Sequence, residues 1–365
     1  MAYPEITARP FLHGIQTMRG IFAVLVVCHH VGVHSTRYWS QEWLGSMFNH
    51  STFRVDFFFV LSGFVLWAAH REDAGKPDAM RNFFLRRFWR LYPLLITLSL
   101  FKVLVLYFIP GRSASCYQII PSFLALPQTS FPLIVSAWTL SFEMFFMTIL
   151  AVCLVLPKKW VLPTLLTLSV LLGVSGMLLG IRPAISGLGF LTHPFILEFA
   201  AGVAAAECVK QSSSRSIGII LCSLAATGLL IGSCQYFWLA SKPVMWQKCF
   251  WAVVFASGIS GLALWERSCL VDRWRLKDHW NLGRASYSIF LSHGFVLMAV
   301  FAVVKPQMLG KDPLWINLFL LLVVAASVLF GQAVFKWLER PLNRWCKSLK
   351  WPSSDVHGAT TQRAP

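Results

Sequence analysis

Ten stretches of this 365-residue chain are long and apolar enough to cross a bilayer as helices. A helical span needs about 20 mostly apolar residues. Irregular backbone cannot face lipid, because every buried N–H and C=O must be paired within the segment. Runs near 15–33, 54–69, 91–110, 136–156, 160–181, 190–208, 216–235, 249–266, 286–304 and 314–335 meet these terms. The chain is therefore predicted to be an all-α membrane protein, a bundle of about ten transmembrane helices. Composition agrees: hydrophobic residues make up 56% and charged residues 13%, against about 25% charged in soluble domains. A soluble enzyme is excluded.

Net charge is +17, from 32 Lys+Arg against 15 Asp+Glu. In a membrane protein such an excess gathers in cytoplasmic loops, so the basic balance is read as topology and not as nucleic-acid binding. With the N-terminus inside, the inside segments hold 22 basic residues and the outside segments 8, Lys248 among the latter, while Arg19 and Lys102 fall within spans. The count predicts cytoplasmic termini: a segment 1–14, a membrane domain 15–346 and a polar, disordered tail 347–365. The stretch "SCYQIIPSFLALPQTSFP" is too short and too proline-punctuated to cross, and reads as interfacial or re-entrant. Nine cysteines show no CxxC and no metal-like spacing, so neither a disulfide framework nor a metal site is expected. The first apolar run lacks a small-residue cleavage site and reads as a retained span.

Ionisable residues inside a bilayer are costly and mark function by default. Here they are Arg19, His29, His30, Asp56, Lys102, Glu143, Glu198 and His293. For Lys102 the plain reading is snorkelling or a structural pair, and for Glu198 a packing carboxylate near a helix end. Arg19 and His30 are eleven residues apart, close to three turns, so they share one stripe of the first helix about 16 Å apart. His29 points about 100° away and reads as an interface histidine. Asp56, at the outer end of the second span, sits at the depth of His30; it either orients that imidazole or caps its own helix. The loop "RNFFLRRFWRLYP" alternates Arg86, Arg87 and Arg90 with aromatics. Two readings stand: a positive-inside anchor with an aromatic belt, or a cytoplasmic site where guanidinium forks grip phosphates and aromatics stack on adenine.

Taken in order, these stretches resemble the acyltransferase-3 family of integral membrane acyltransferases. "IQTMRGIFAVLVVCHH" is similar to the family's "LDGLRGIAALLVVLFH", with Arg19 and His30 at the family interval. "RVDFFFVLSGFVL", with Asp56, Ser62 and Gly63, resembles its second-helix block. "RRFWRLYP" resembles its arginine-rich approach to the third helix, and "WTLSFEMFF" resembles "WSLSVEWQFY" with Glu143 aligned. "LEFAAG", "SYSIFLSH" and "LERPL" resemble later blocks, so the likeness runs from about residue 12 to 342. Two departures stand out: Gln16 replaces the acid common before the arginine, and no arginine lies beside Glu198.

The resemblance implies an enzyme of a bacterial inner (plasma) membrane. It would move an acyl group, acetyl by family weight, from cytoplasmic acyl-CoA to a hydroxyl of a glycan or lipid-linked sugar. It implies His30 as the essential histidine. The mechanism expected on that basis has His30 as general base, with Asp56 orienting it and Glu143 lining the acceptor side. Arg19 would hold a CoA phosphate or the developing oxyanion, and Arg86, Arg87 and Arg90 the nucleotide. A covalent acyl-histidine is the other route. The rival from another class is a transporter or flippase whose intramembrane charges serve as relays; no internal repeat and no pair of glycine-broken helices supports it. A structural or sensor membrane protein is a third reading.

Overall fold

Each apolar run becomes a helix, and ten of the helices among the described residues are long and apolar enough to cross a membrane. The structure, a computed structural model, describes residues 12–44, 53–109, 115–234, 241–242, 244–268, 281–309 and 312–348. The helices are α1 (His13–Trp39), α2 (Phe53–His70), α3 (Ala79–Tyr107), the short α4 (Cys116–Leu124), α5 (Trp138–Cys153), α6 (Lys158–Leu178), the short α7 (Gly187–Leu191), α8 (Phe195–Gln211), α9 (Arg215–Cys234), α10 (Val244–Ser268), α11 (Leu282–Val303), α12 (Pro313–Val334) and α13 (Arg340–Ser348). A π-helical turn, Phe335–Glu339, joins the last two. The end at which α1 starts is called the near end; the opposite one is the far end. The protein is an all-helical, multi-pass integral membrane protein.

Boundaries differ from the sequence reading where polarity hid a helix. Helix α1 starts at His13, inside the segment expected to precede the bundle, and α13 runs to Ser348. Most of the expected tail, 349–365, lies outside the described residues, as do residues 1–11. The arginine-rich stretch read as a loop lies in about the first four turns of α3. Its arginines lower the hydropathy, but Phe83, Leu91 and Leu95 bury a continuous face, and that face suffices for a helix. Pro93 stands inside α3, and the Thr97 hydroxyl donates to the Pro93 carbonyl at 2.7 Å. The proline-punctuated stretch forms α4, which is too short to cross, as expected.

Glycines set the closest helix pairs. A Cβ on Gly63 of α2 would strike the Phe199 carbonyl of α8, and one on Gly202 of α8 would strike the Val60 carbonyl of α2. Backbones approach this closely only where neither partner carries a side chain. Gly20 of α1 and Gly283 of α11 make a similar pair against Leu282 and Gln16. The near ends are tied by polar links: Glu72 to Lys158 and Lys210, Gly14 N–H to the Glu266 carboxylate, and Arg267 to the Val209 carbonyl at 2.9 Å. The two tight pairs fix α1, α2, α8 and α11, on which most of the site is built.

Candidate active site

His30 projects into a cavity of about 1010 Å³ that opens toward the far end, lined also by His29, His34, Arg54 and His293. Its closest polar partner is His293 of α11. The Nε2 of His293 lies 2.9 Å from the Nδ1 of His30, and the rings stack at 4.8 Å. The other nitrogen of His293, Nδ1, faces the Ile289 carbonyl at 3.1 Å. A carbonyl oxygen only accepts, so His293 donates from Nδ1. Its Nε2 is then the acceptor while the ring is neutral, and His30 donates from Nδ1. The remaining nitrogen of His30, Nε2, therefore carries a lone pair. One histidine fixes the tautomer of the other and so makes it a base. The adjacent His29 ring sits 5.3 Å from that of His30, outside this chain of donors.

A second, smaller chamber of about 150 Å³ lies toward the near end. Arg19 of α1, Arg87 and Arg90 of α3, Glu143 of α5 and Ser62 of α2 line it. Glu143 lies within electrostatic reach of all three guanidinium groups. Arg19 Nη1 also donates to Gln16 Oε1 at 3.2 Å, so the amide that replaces the family's acid still accepts from the arginine. Behind the chamber, Glu339 of the π-helical turn accepts from the Ser288 hydroxyl, and the Tyr287 hydroxyl donates to the Leu91 carbonyl at 2.8 Å. The Ser62 hydroxyl has no hydrogen-bond partner among the described residues. In the "LSG" stretch, then, the serine faces the chamber while the glycine packs against α8. The two chambers share the walls Val55, Thr139, Phe290 and Leu291, so they lie side by side.

Three expected arrangements are corrected. Asp56 does not orient His30: its Oδ1 accepts from Lys248 Nζ of α10 at 2.6 Å, with Glu198 of α8 at 4.0 Å from the same ammonium. The reason is angular. Asp56 and Gly63 are two turns apart on one face of α2, and that face meets α8 and α10. The α2 residue that meets α1 is Phe57, which stacks on Phe22 at 4.0 Å. Glu143 lines the arginine chamber and not the cavity of His30. Arg19 likewise lines the chamber and not the cavity of His30. Arg87 and Arg90, one turn apart, both line the chamber, whereas Arg86 lines neither space; Arg87 is half-buried, and Arg86 and Arg90 are both exposed.

Sequence reasoning missed three participants. Lys248 was counted with the outside loops because it precedes an apolar run by one residue, yet it is buried in α10. Arg54, also counted outside, is buried in the cavity wall. His293 stood out as a polar residue two turns into the ninth span, but nothing in the sequence linked it to a residue 263 positions away.

The acyltransferase domain pattern of the acyltransferase-3 type matches residues 12–332. The chain belongs to the acyltransferase-3 family. It is an acyltransferase, and the transporter reading gives way to that membership. It is similar to the exopolysaccharide production protein ExoZ of Rhizobium meliloti (strain 1021), with 29% identity over 327 residues covering 84% of this chain and 93% of that protein. No solved structure matches. The family blocks noted in the sequence gather around the two chambers: Arg19, Ser62, Arg87, Arg90, Glu143 and Tyr287 at one, His30 and His293 at the other.

Proposed function

We propose that the protein transfers an acetyl group from cytoplasmic acetyl-CoA to a hydroxyl of a carbohydrate acceptor, an exopolysaccharide, O-antigen or lipid-linked sugar, in a bacterial inner (plasma) membrane. One observation carries this reading: a histidine whose lone pair is fixed by a second histidine stands in a cavity that shares four wall residues with an arginine-lined chamber, and the neck we propose lies between those walls. The arginine excess of the inside segments supports assigning the near end, and both termini, to the cytoplasm. Arg19, Arg87 and Arg90 then hold the CoA phosphates, since guanidinium forks suit phosphate oxygens. The pantetheine arm threads the neck toward His30. The printed name of ExoZ supports a surface glycan as acceptor.

His30 Nε2 removes the proton of the acceptor hydroxyl as its oxygen attacks the thioester carbonyl. The tetrahedral intermediate collapses with cleavage of the C–S bond. The imidazolium returns its proton to the leaving sulfur, giving an ester and free CoA thiol. The same lone pair would also serve an acyl-histidine route, in which Nε2 itself attacks the carbonyl.

The test uses full-length protein in proteoliposomes with radiolabelled acetyl-CoA. His30→Ala is expected to lower acetyl transfer by about 10² to 10⁴ at unchanged membrane content, while His29→Ala costs much less. Equal loss from the two substitutions would remove the assignment of His30.

A further inference from the structure

His70 ends α2 at the near end with both ring nitrogens engaged. Its Nδ1 lies 3.0 Å from Oδ2 of Asp73, in the short helical turn Arg71–Asp73 that follows. Its Nε2 lies 3.5 Å from Nη2 of Arg87 on α3. The residue is only 5% exposed, and its ring meets the Phe83 ring edge-on at 4.8 Å. The partners decide where the proton sits. Asp73 holds Lys76 at 3.4 Å through its other oxygen. An ionised carboxylate only accepts, and a guanidinium only donates. His70 therefore donates from Nδ1 to Asp73 and accepts at Nε2 from Arg87, and the neutral ring satisfies both. An imidazolium would turn a second N–H against the guanidinium. Among the described residues, the charged groups that face the ring are Asp73 of the turn and Arg87 and Arg86 of α3.

Arg87 is also a wall residue of the near chamber, within electrostatic reach of Arg19, Arg90 and Glu143. Like charges push the guanidinium groups apart, and a long side chain loses rotamer freedom when it is held in one place. A neutral acceptor behind Arg87 answers both costs. It fixes one N–H and leaves the positive charge and the other N–H groups for a ligand, where a carboxylate would compete with that ligand. We propose that His70 is a positioning residue for the acyl donor: kept in one tautomer by Asp73, it holds the Arg87 guanidinium at the chamber wall, and a proton on its Nε2 releases it. The proposal rests on the reading in which the chamber holds the CoA phosphates. It adds a residue outside the blocks that resemble the family, and it makes donor affinity sensitive to acid.

The experiment measures equilibrium binding of radiolabelled acetyl-CoA, and its turnover, with the full-length protein in proteoliposomes. His70→Leu is expected to raise the Kd and KM for acetyl-CoA about three- to tenfold. The kcat should hardly change, because the lost contact is remote from the reacting atoms. His70→Gln still offers Arg87 a carbonyl oxygen and should restore most of the affinity. Acidification from about pH 8 to about pH 5.5 spans the range of an imidazole. Over it the parent should lose affinity more steeply than His70→Gln, since titration of the donor's own phosphate is common to both. In an Arg87→Gln background, His70→Leu should add less than about twofold, because the group it positions is gone. Asp73→Asn, at a half-buried position, reads the same chain of contacts should the leucine variant fail to fold, with a smaller rise of about two- to threefold. Affinity unmoved by these substitutions, a leucine penalty that persists in full without Arg87, or glutamine no better than leucine overturns the proposal. An Arg87→Gln protein that binds acetyl-CoA like the parent would instead sink the donor-chamber reading, and this proposal with it.

Discussion

The near chamber and the far cavity share four wall residues, yet they distribute carboxylates in opposite ways. In the near chamber an acid stands among the bases: Glu143 lines the wall with Arg19, Arg87 and Arg90, and Glu339 sits just behind. In the far cavity the acids are withdrawn. Asp56 and Glu198 face away into the contact of α2, α8 and α10, and the lining is left to histidines and fixed cations. A chamber with acid and base intermixed can hold a polyanion and release it. A cavity stripped of acids attracts anions, and its histidines are left as the groups that can take a proton. The difference separates a site that handles the donor's charged end from one where the proton moves.

The withdrawn acids give the largest expected effect. Lys248→Met would leave Asp56 and Glu198 buried without their ammonium, at a cost of about 3–5 kcal/mol in stability. Thermal unfolding of the purified protein in micelles would measure it. Adding Asp56→Asn should recover part of the loss, because the carboxylate left uncompensated is then neutral. A single Lys248→Met that melts like the parent would show that these groups do not hold the helices together.

The next contrast lies within the cavity. In the mechanism proposed above His293 acts through His30, as a positioning residue. His293→Leu removes the acceptor for the His30 Nδ1–H and frees the tautomer, and kcat is expected to fall about 10- to 100-fold with little change in either KM, the range typical of partners that orient a working imidazole. His293→Gln offers a carbonyl oxygen to the same N–H and should restore much of the rate. If leucine and glutamine behaved alike, packing and not hydrogen bonding would be what His293 contributes.

How far the sequence reached follows the same physics. Hydropathy located all ten spans, because crossing lipid leaves the backbone no alternative. It also gave depth: His30 and Asp56 were read at one level, and both do sit toward the far end. Azimuth was illegible across helices. One position separates Asp56 from Phe57, and about 100° decides which of them meets α1. Only the glycine contacts of Gly63 and Gly202 fix that rotation, and a reader of one sequence cannot pair glycines 139 residues apart. Within a helix azimuth was legible, which is why Arg19 and His30 were set on one stripe and His29 off it. Lys248 and Arg54 were lost for a different reason: a charge at the edge of an apolar run looks like a loop residue until its partners across the bundle are known.

The arginines of α3 sharpen the comparison by the smallest margin. Sequence treats Arg86, Arg87 and Arg90 as one cluster, but on a helix three residues return to nearly the same face and one residue does not. Arg87 and Arg90 accordingly line the near chamber and Arg86 does not, although Arg86 and Arg90 are equally open to solvent. Replacing either lining arginine by glutamine removes a charged hydrogen-bonding group from the donor's phosphates, worth about 1.5–3 kcal/mol. The KM for acetyl-CoA should rise at least about tenfold with kcat nearly unchanged, since the lost contact lies far from the reacting atoms and is shared by ground and transition states. Arg86→Gln should change that KM less than about twofold, the scale of an exposed charge screened by solvent. Should Arg86→Gln match the other two, the donor would be bound by the overall charge of the near end and not by the chamber.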